Sequence, residues 1–248
     1  MLTRTEGIVL KTLEYSEADL IVTHLTLAKG ITKTFAKSPR KTKSRFGSSL
    51  EPLTHARISL WGKEQSMPKL TQSDILSPFQ TLRENIKDFV YMSKLAEILI
   101  SLIPEGIPNY KVYIFFLNMM NLLESSGQKQ KDVLYLISQI RLLELLGYAP
   151  RLKGCGKCGV KSLDFYPGSG TILCRKCAFT RPGDDTAPIR VTDKVIKFYS
   201  HGIGWPVYTS TRLRPSVETI SGLSALLDEH LNHLLNKRLL TSEFLAKV

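Results

Sequence analysis

The chain holds four cysteines, and they fall as two CxxC pairs, Cys155-Gly156-Lys157-Cys158 and Cys174-Arg175-Lys176-Cys177, with fifteen residues between them. Each pair makes a tight knuckle that aims both sulfurs at one point, and two knuckles at this separation match the spacing of a four-thiolate zinc site. A tetrahedral ion with sulfur at every corner has no position left for water or substrate. The spacing therefore predicts a structural Zn2+ held by Cys155, Cys158, Cys174 and Cys177, clamping residues 155–177 into an inserted module. The competing reading is a pair of disulfides or four unrelated thiols, which seldom produce paired knuckles of this spacing.

Charge is the second constraint. The formal net charge is +12, and two segments hold the excess. Residues 20–50 carry Lys29, Lys33, Lys37, Arg40, Lys41, Lys43 and Arg45 with no acid, and residues 151–182 carry Arg151, Lys153, Lys157, Lys161, Arg175, Lys176 and Arg181 against Asp164 alone. A surface charged only for solubility mixes both signs. Cations gathered in two stretches point instead to a polyanion, nucleic acid ahead of an anionic membrane. With 248 residues, 43% of them hydrophobic, the chain has room for one large domain or two or three small ones. It opens on polar residues with no signal-peptide pattern, and its most apolar stretch, residues 112–123, is too short to span a bilayer and is broken by Asn118 and Asn121. These features predict a soluble protein of a reducing, cytoplasmic compartment with no membrane partner.

Up to residue 79 the pattern is β. Residues 6–12, 18–27, 31–37, 53–61 and 69–76 are five candidate strands, rich in β-branched and apolar residues and separated by turn residues. The third rests on composition alone, because a period of two puts Ile31, Lys33, Phe35 and Lys37 on one face. Five short strands with a long basic loop after the third predict a small barrel, an OB-fold ahead of an SH3-like one. On it Lys29, Lys33, Lys37, Arg40, Lys41, Lys43 and Arg45 are the candidate phosphate contacts, each neutralised phosphate releasing counterions. Phe35, Phe46 and Trp61 are candidates for base stacking, set against the more ordinary role of an aromatic in a barrel core.

Beyond Ser77-Pro78-Phe79 the apolar period lengthens. Helices are predicted over residues 82–102, 109–125 and 132–146, then over 192–199 and 215–236. The first three should bundle, with the second, apolar nearly all round, at the centre. The cysteine module interrupts the bundle: residues 165–173 read as a hairpin turned by Gly168 and Gly170, and 181–186 as a polar connector. Its cations Arg151, Lys153, Arg175 and Lys176 are further candidate nucleic-acid contacts. The expected organisation is α+β: a five-stranded OB-fold barrel over residues 1–79, an α-helical bundle over 80–150 and 183–248, and an inserted four-cysteine zinc module over 151–182.

Two segments of the chain carry a resemblance. Glu6-Gly7-Ile8-Val9-Leu10, Tyr15-Ser16-Glu17-Ala18-Asp19-Leu20-Ile21-Val22 and Leu27-Ala28-Lys29-Gly30 form the first, and Arg141-Leu142-Leu143-Glu144-Leu145-Leu146-Gly147-Tyr148-Ala149-Pro150, ahead of the first CxxC pair, forms the second. Together with the order of barrel, helices, zinc insert and final helix, they resemble the bacterial recombination mediator family RecO over nearly the full length. The resemblance implies an N-terminal OB-fold and a helical domain with a zinc ribbon-like insert. It also implies binding of single- and double-stranded DNA, annealing of complementary strands, and association with the ring-forming protein RecR. Further implied partners are the acidic C-terminal tail of single-strand-binding protein (SSB) and, indirectly, RecA, which such proteins help to load on SSB-coated DNA near the nucleoid. Some members of the family lack the cysteines, which fits an architectural metal.

An enzyme is the first competing class. The sequence has no phosphate-binding G-x4-G-K-[ST] loop, no G-x-S-x-G elbow, no H-E-x-x-H, and no H-x-E ahead of the CxxC pairs. His24, His55 and His201 are scattered, and His230 with His233 reads as two polar helix positions rather than a metal pair. Asp184-Asp185 and Asp228-Glu229 are adjacent rather than facing, a poor arrangement for acid/base work. An RNA-binding or ribosome-associated zinc protein with the same barrel is the second alternative, which composition leaves open.

Overall fold

A computed structural model of the chain describes residues 1–40, 44–63, 66–180, 187–210 and 212–245. Its first strand, β1 (Leu2–Glu14), serves two neighbours, because residues 2–8 pair antiparallel with β4 (His55–Trp61) and residues 7–14 with β2 (Leu20–Thr26). The change of partner falls at Gly7 and Ile8, and a bulge between Val9 and Lys11 bends the strand further. Gly7 sits in the crease: a Cβ there would lie 3.2 Å from Ile58 Cδ1. From β2 the sheet continues to β3 (Gly30–Ala36), and β4 pairs with β5 (Lys69–Ser77). A short parallel pairing of Phe35 and Ala36 with Lys69 and Leu70 joins β3 to β5. The result is a closed barrel in the order β1-β2-β3-β5-β4, the expected OB-fold.

The barrel core is Val9, Val22, Ala36, Phe46, Leu50, Ala56, Ile58, Leu60 and Leu70. In β3 the inward residues are the small Thr34 and Ala36, while Ile31, Lys33 and Phe35 share the outer face. That explains the mixed period of this strand. Ile31 is buried although it points outward, because the segment at residues 105–108 crosses it and Gly106 N–H donates to its carbonyl (2.9 Å). The crossing is so close that Gly30, at φ +60°, could not carry a side chain: a Cβ there would collide with the Ile107 carbonyl. Inside the barrel, His24 is fully buried, with the Thr34 hydroxyl donating to Val22 O (3.2 Å) and lying 3.4 Å from His24 Nδ1. Loss of hydration pulls the His24 pKa down to about 4, against a smaller opposing hydrogen bond to the Val22 backbone.

The helical run expected over residues 82–102 is two helices, α1 (Gln80–Glu84) and α2 (Ile86–Leu102). Asn85 leaves the helical conformation between them and caps α2, its side chain accepting from Asp88 N–H (3.1 Å). After α3 (Tyr110–Ser125) a first compact unit, Met1–Ser126, is complete. Within it the three helices close on the barrel: the Tyr113 hydroxyl lies 2.9 Å from His55 Nε2, and Arg83 pairs with Glu51.

The second unit, Gly127–Val248, gathers round α4 (Gln128–Leu145), in which residues 133–140 are buried without a break. So α4 takes the central place that apolar content had assigned to α3. The polar Ser138 and Gln139 disguise it in the sequence, and Ser138 satisfies its hydroxyl by donating to Leu134 O (2.7 Å). The cysteine module follows as β6 (Asp164–Tyr166), β7 (Thr171–Ile172), α5 (Arg175–Phe179) and β8 (Ile189–Arg190), with the three strands in the order β7-β6-β8. Then come α6 (Asp193–Gly204), α7 (Val207–Ser210), α8 (Val217–Leu235) and α9 (Leu240–Leu245). Thr192 and Ser216 cap α6 and α8. The expected connector over 181–186, with Arg181 and the Asp184-Asp185 pair, lies outside the described residues. Among the described residues no helix is long and apolar enough to cross a membrane.

Candidate metal centre and nucleic-acid interface

The two knuckles meet as their spacing predicts. The sulfurs of Cys155, Cys158, Cys174 and Cys177 lie within 4.8 Å of one another, so the four can hold one metal ion. Cys158 Sγ and Cys174 Sγ are 3.7 Å apart. A disulfide needs about 2.05 Å, whereas tetrahedral thiolates at about 2.3 Å from zinc stand about 3.8 Å apart. Without an ion the close sulfurs shift one another's protonation in opposite directions. Burial raises the Cys155 thiol, but backbone N–H groups of Cys174, Cys158 and Lys157 outweigh it and bring it down to about 6. Hydrogen bonding to Cys158 and Cys174 holds Cys177 up at about 12. Four sulfurs this close shed all their protons only beside a cation, which is the chemistry of a thiolate metal site.

The module is also fastened at its base. Arg151 N–H donates to Gly170 O (2.8 Å), Ile172 N–H to Arg151 O (3.0 Å) and Val191 N–H to Leu163 O (2.8 Å). The helices hold the chain just before it: His230 Nε2–H donates to Tyr148 O (2.8 Å), and the Tyr199 hydroxyl donates to Pro150 O (2.6 Å). His233 instead faces Glu229 (3.3 Å), so the two histidines have separate tasks and are no metal pair.

Strand register builds the second feature. Residues paired across neighbouring strands point to the same side of a sheet, and the pairs Leu13–Ile21, Ile21–Phe35, Phe35–Lys69, Lys69–Trp61 and Trp61–Leu2 form one outward row around the barrel. Beside it runs Lys11–Thr23–Lys33. Trp61 is 59% exposed, and half-buried Phe35 makes a T-shaped contact with Tyr15, itself 65% exposed, at 5.7 Å between ring centres. On this wall Lys69 stands between Phe35 and Trp61, and Leu13, Ile21 and Leu2 complete the row. Sequence reading named Phe35, Trp61 and Lys33 but missed Lys11 and Lys69, whose side only the register reveals, and Tyr15, which its ring contact with Phe35 places beside them.

The remaining candidates separate. Lys29 and Lys33 line a cleft of about 590 Å3 with Lys63, Met1 and Glu105, and Lys33 Nζ is 2.5 Å from Glu105 Oε1. Lys37 is exposed, and Arg40 pairs with Glu14 (3.1 Å). Phe46 belongs to the core at 3% exposure, with the Arg45 guanidinium 4.8 Å from its ring centre, so its face is closed to a base. Lys41 and Lys43 lie outside the described residues. In the module Arg151, Lys153, Arg175 and Lys176 are all exposed, and so is Phe179, which sequence reading passed over.

Comparison with known proteins covers nearly the whole chain. Residues 1–79 match the family model described as recombination protein O N terminal, and residues 83–243 match recombination protein O C terminal. A DNA repair protein RecO of Thermodesulfovibrio yellowstonii is 41% identical over 229 residues, 92% of this chain and 91% of that protein. Another, from Thermobifida fusca, is 31% identical over 240 residues, covering 93% and 94% of the two chains.

Proposed function

The chain belongs to the RecO family of DNA repair proteins, and from that premise we propose that it is a DNA-binding recombination mediator, which binds and anneals single-stranded DNA and, with RecR, helps RecA load on SSB-coated DNA. The observation that carries this reading is the outer row of the barrel. Exposed Trp61 in the row, and exposed Tyr15 packed against Phe35, offer aromatic rings to unpaired bases, and Lys11, Lys33 and Lys69 offer charge to the phosphates between them. A surface that grips backbone and stacks bases without reading their edges suits any sequence, as a mediator requires. Cations of the cysteine module supply a second phosphate-binding surface, and holding two strands at screened charge favours their pairing. The protein acts in this reading by binding and not by covalent chemistry, in the cytoplasm at the nucleoid.

The metal in this proposal is Zn2+, and its role is architectural, since four sulfurs fill its coordination. For the acidic SSB tail, a cleft of about 420 Å3 on the second unit has suitable chemistry, with Lys194, Lys197 and Arg214 around Phe198 and Leu213. The test is annealing of complementary strands coated with SSB, run with and without free tail peptide. A mediator anneals coated strands and loses that ability as the peptide is added. A protein that anneals only naked strands, or prefers RNA of equal sequence, is a general nucleic-acid binder instead.

A further inference from the structure

At 93% exposure Phe179 is the most exposed large hydrophobic residue among those described, and it stands on the part of the second unit with the greatest excess of cations. We propose that the tip of the cysteine module is a stacking contact for single-stranded nucleic acid, with Phe179 as the ring that receives a base. The proposal rests on the reading of the protein as a DNA binder and adds a second place where unpaired bases are held.

Phe179 is the last residue of α5, the helix that follows Cys174 and contains Cys177. Two of the four gathered sulfurs thus lie within five residues of the ring, so a bound ion fixes the base of α5 and presents the ring on a rigid support rather than on a loose tail. Arg175 and Lys176 precede it by four and three residues, which on a helix puts both cations on the flank of the ring. The first knuckle meets the start of α5 through Cys158 and Cys174, which ties the helix to the rest of the module.

A single exposed ring is ordinary on a protein surface, and what singles out Phe179 is the pair of cations on its flank. Protein interfaces bury their aromatic anchors among residues depleted in lysine, so a ring flanked by Arg175 and Lys176 is poorly framed for a protein partner. A nucleotide matches both parts: its base lies on the ring while its phosphate meets the cations. The strand must be single, because in a duplex the base faces are already stacked on one another.

Phe179→Trp provides the probe, its emission read as the difference from wild-type protein, which carries Trp61 and Trp205. Adding oligo(dT) should quench the new tryptophan. Phe179→Ala should weaken oligo(dT) binding roughly fivefold or more, with an unchanged salt slope because no phosphate contact is lost. Duplex affinity, metal content and melting temperature should stay as in the wild type. Unquenched emission from the introduced indole, in a variant that still binds oligo(dT), would overturn the proposal and leave the barrel as the DNA surface. Equal weakening for duplex and single strand in Phe179→Ala would also overturn it, as would emission that changes with protein concentration alone, which assigns the ring to a contact between copies. A wild-type protein that binds no oligo(dT) removes the underlying DNA-binding reading as well.

Discussion

His24 lies where the barrel has no water to offer it, and its chemistry sets a stability profile. Its folded pKa, about 4, is below the 6.5 of the unfolded chain, so between these values the unfolded state binds more protons. Stability is therefore complete above pH 6.5 and falls as pH drops toward 4, by at most about 3 kcal/mol from this residue. His55, also lowered mainly by burial with Glu6 opposing, adds to the slope with the same sign. Urea melts at pH 7 and pH 4.5 should show the loss, and His24→Leu should make it shallower; an unchanged slope in that variant assigns the acid sensitivity elsewhere. At the cysteines, Cys155→Ser should abolish stoichiometric metal content and loosen residues 155–180 to proteolysis, as measured by metal analysis and digestion. Retained full occupancy would contradict a four-sulfur site. Among single residues, the cysteines were fully legible in the sequence because their chemistry depends on spacing alone. Phe46 and Trp61 were not separable there: one folds in from the loop after β3 to fill the barrel, and the other stands outside it by strand register, a distinction that composition does not carry.

Strand β3 shows how an element resists reading when its cover comes from far along the chain. Ile31 and Phe35 suggest an inward face, yet Thr34 and Ala36 point inward, and the residues that bury Ile31 lie more than seventy positions later. The same crossing supplies Glu105 to Lys33, and β1 supplies Glu14 to Arg40. These exposed pairs contribute little to stability, ~0–1 kcal/mol each, but each acid competes with a phosphate for its cation. Glu105→Gln should therefore tighten DNA binding by a fewfold at low salt and steepen the salt dependence, with the melting temperature nearly unmoved. Titrations at several salt concentrations check this, and weaker binding in the variant would mean that Glu105 orients Lys33 rather than competes for it. The split at Asn85 was likewise hidden, since the apolar positions of α1 and α2 stay in phase across it while the backbone does not.

For the whole molecule, periodicity located the change from strands to helices at residue 79, whereas compactness divides the chain after Ser126. The two boundaries answer different questions. Local pattern records where one kind of element stops, and only packing records that α1–α3 belong with the barrel they cover. A fragment of residues 1–126 should consequently melt cooperatively, while residues 1–79 alone, deprived of Tyr113 against His55 and of the 105–108 crossing, should be markedly less stable or aggregate. Thermal melts of the two fragments decide the matter, and equal stability would show that the helices are dispensable to the barrel. In the second unit, the main-chain bonds of Arg151, Ile172 and Val191, with the side chains of His230 and Tyr199, anchor the insert without calling on a single thiol. A stump secured in that manner stays in place whatever becomes of its far end. Lineages can accordingly trade away the thiols and keep the scaffold, so possession of the ion is a poor guide to whether two homologues share a task.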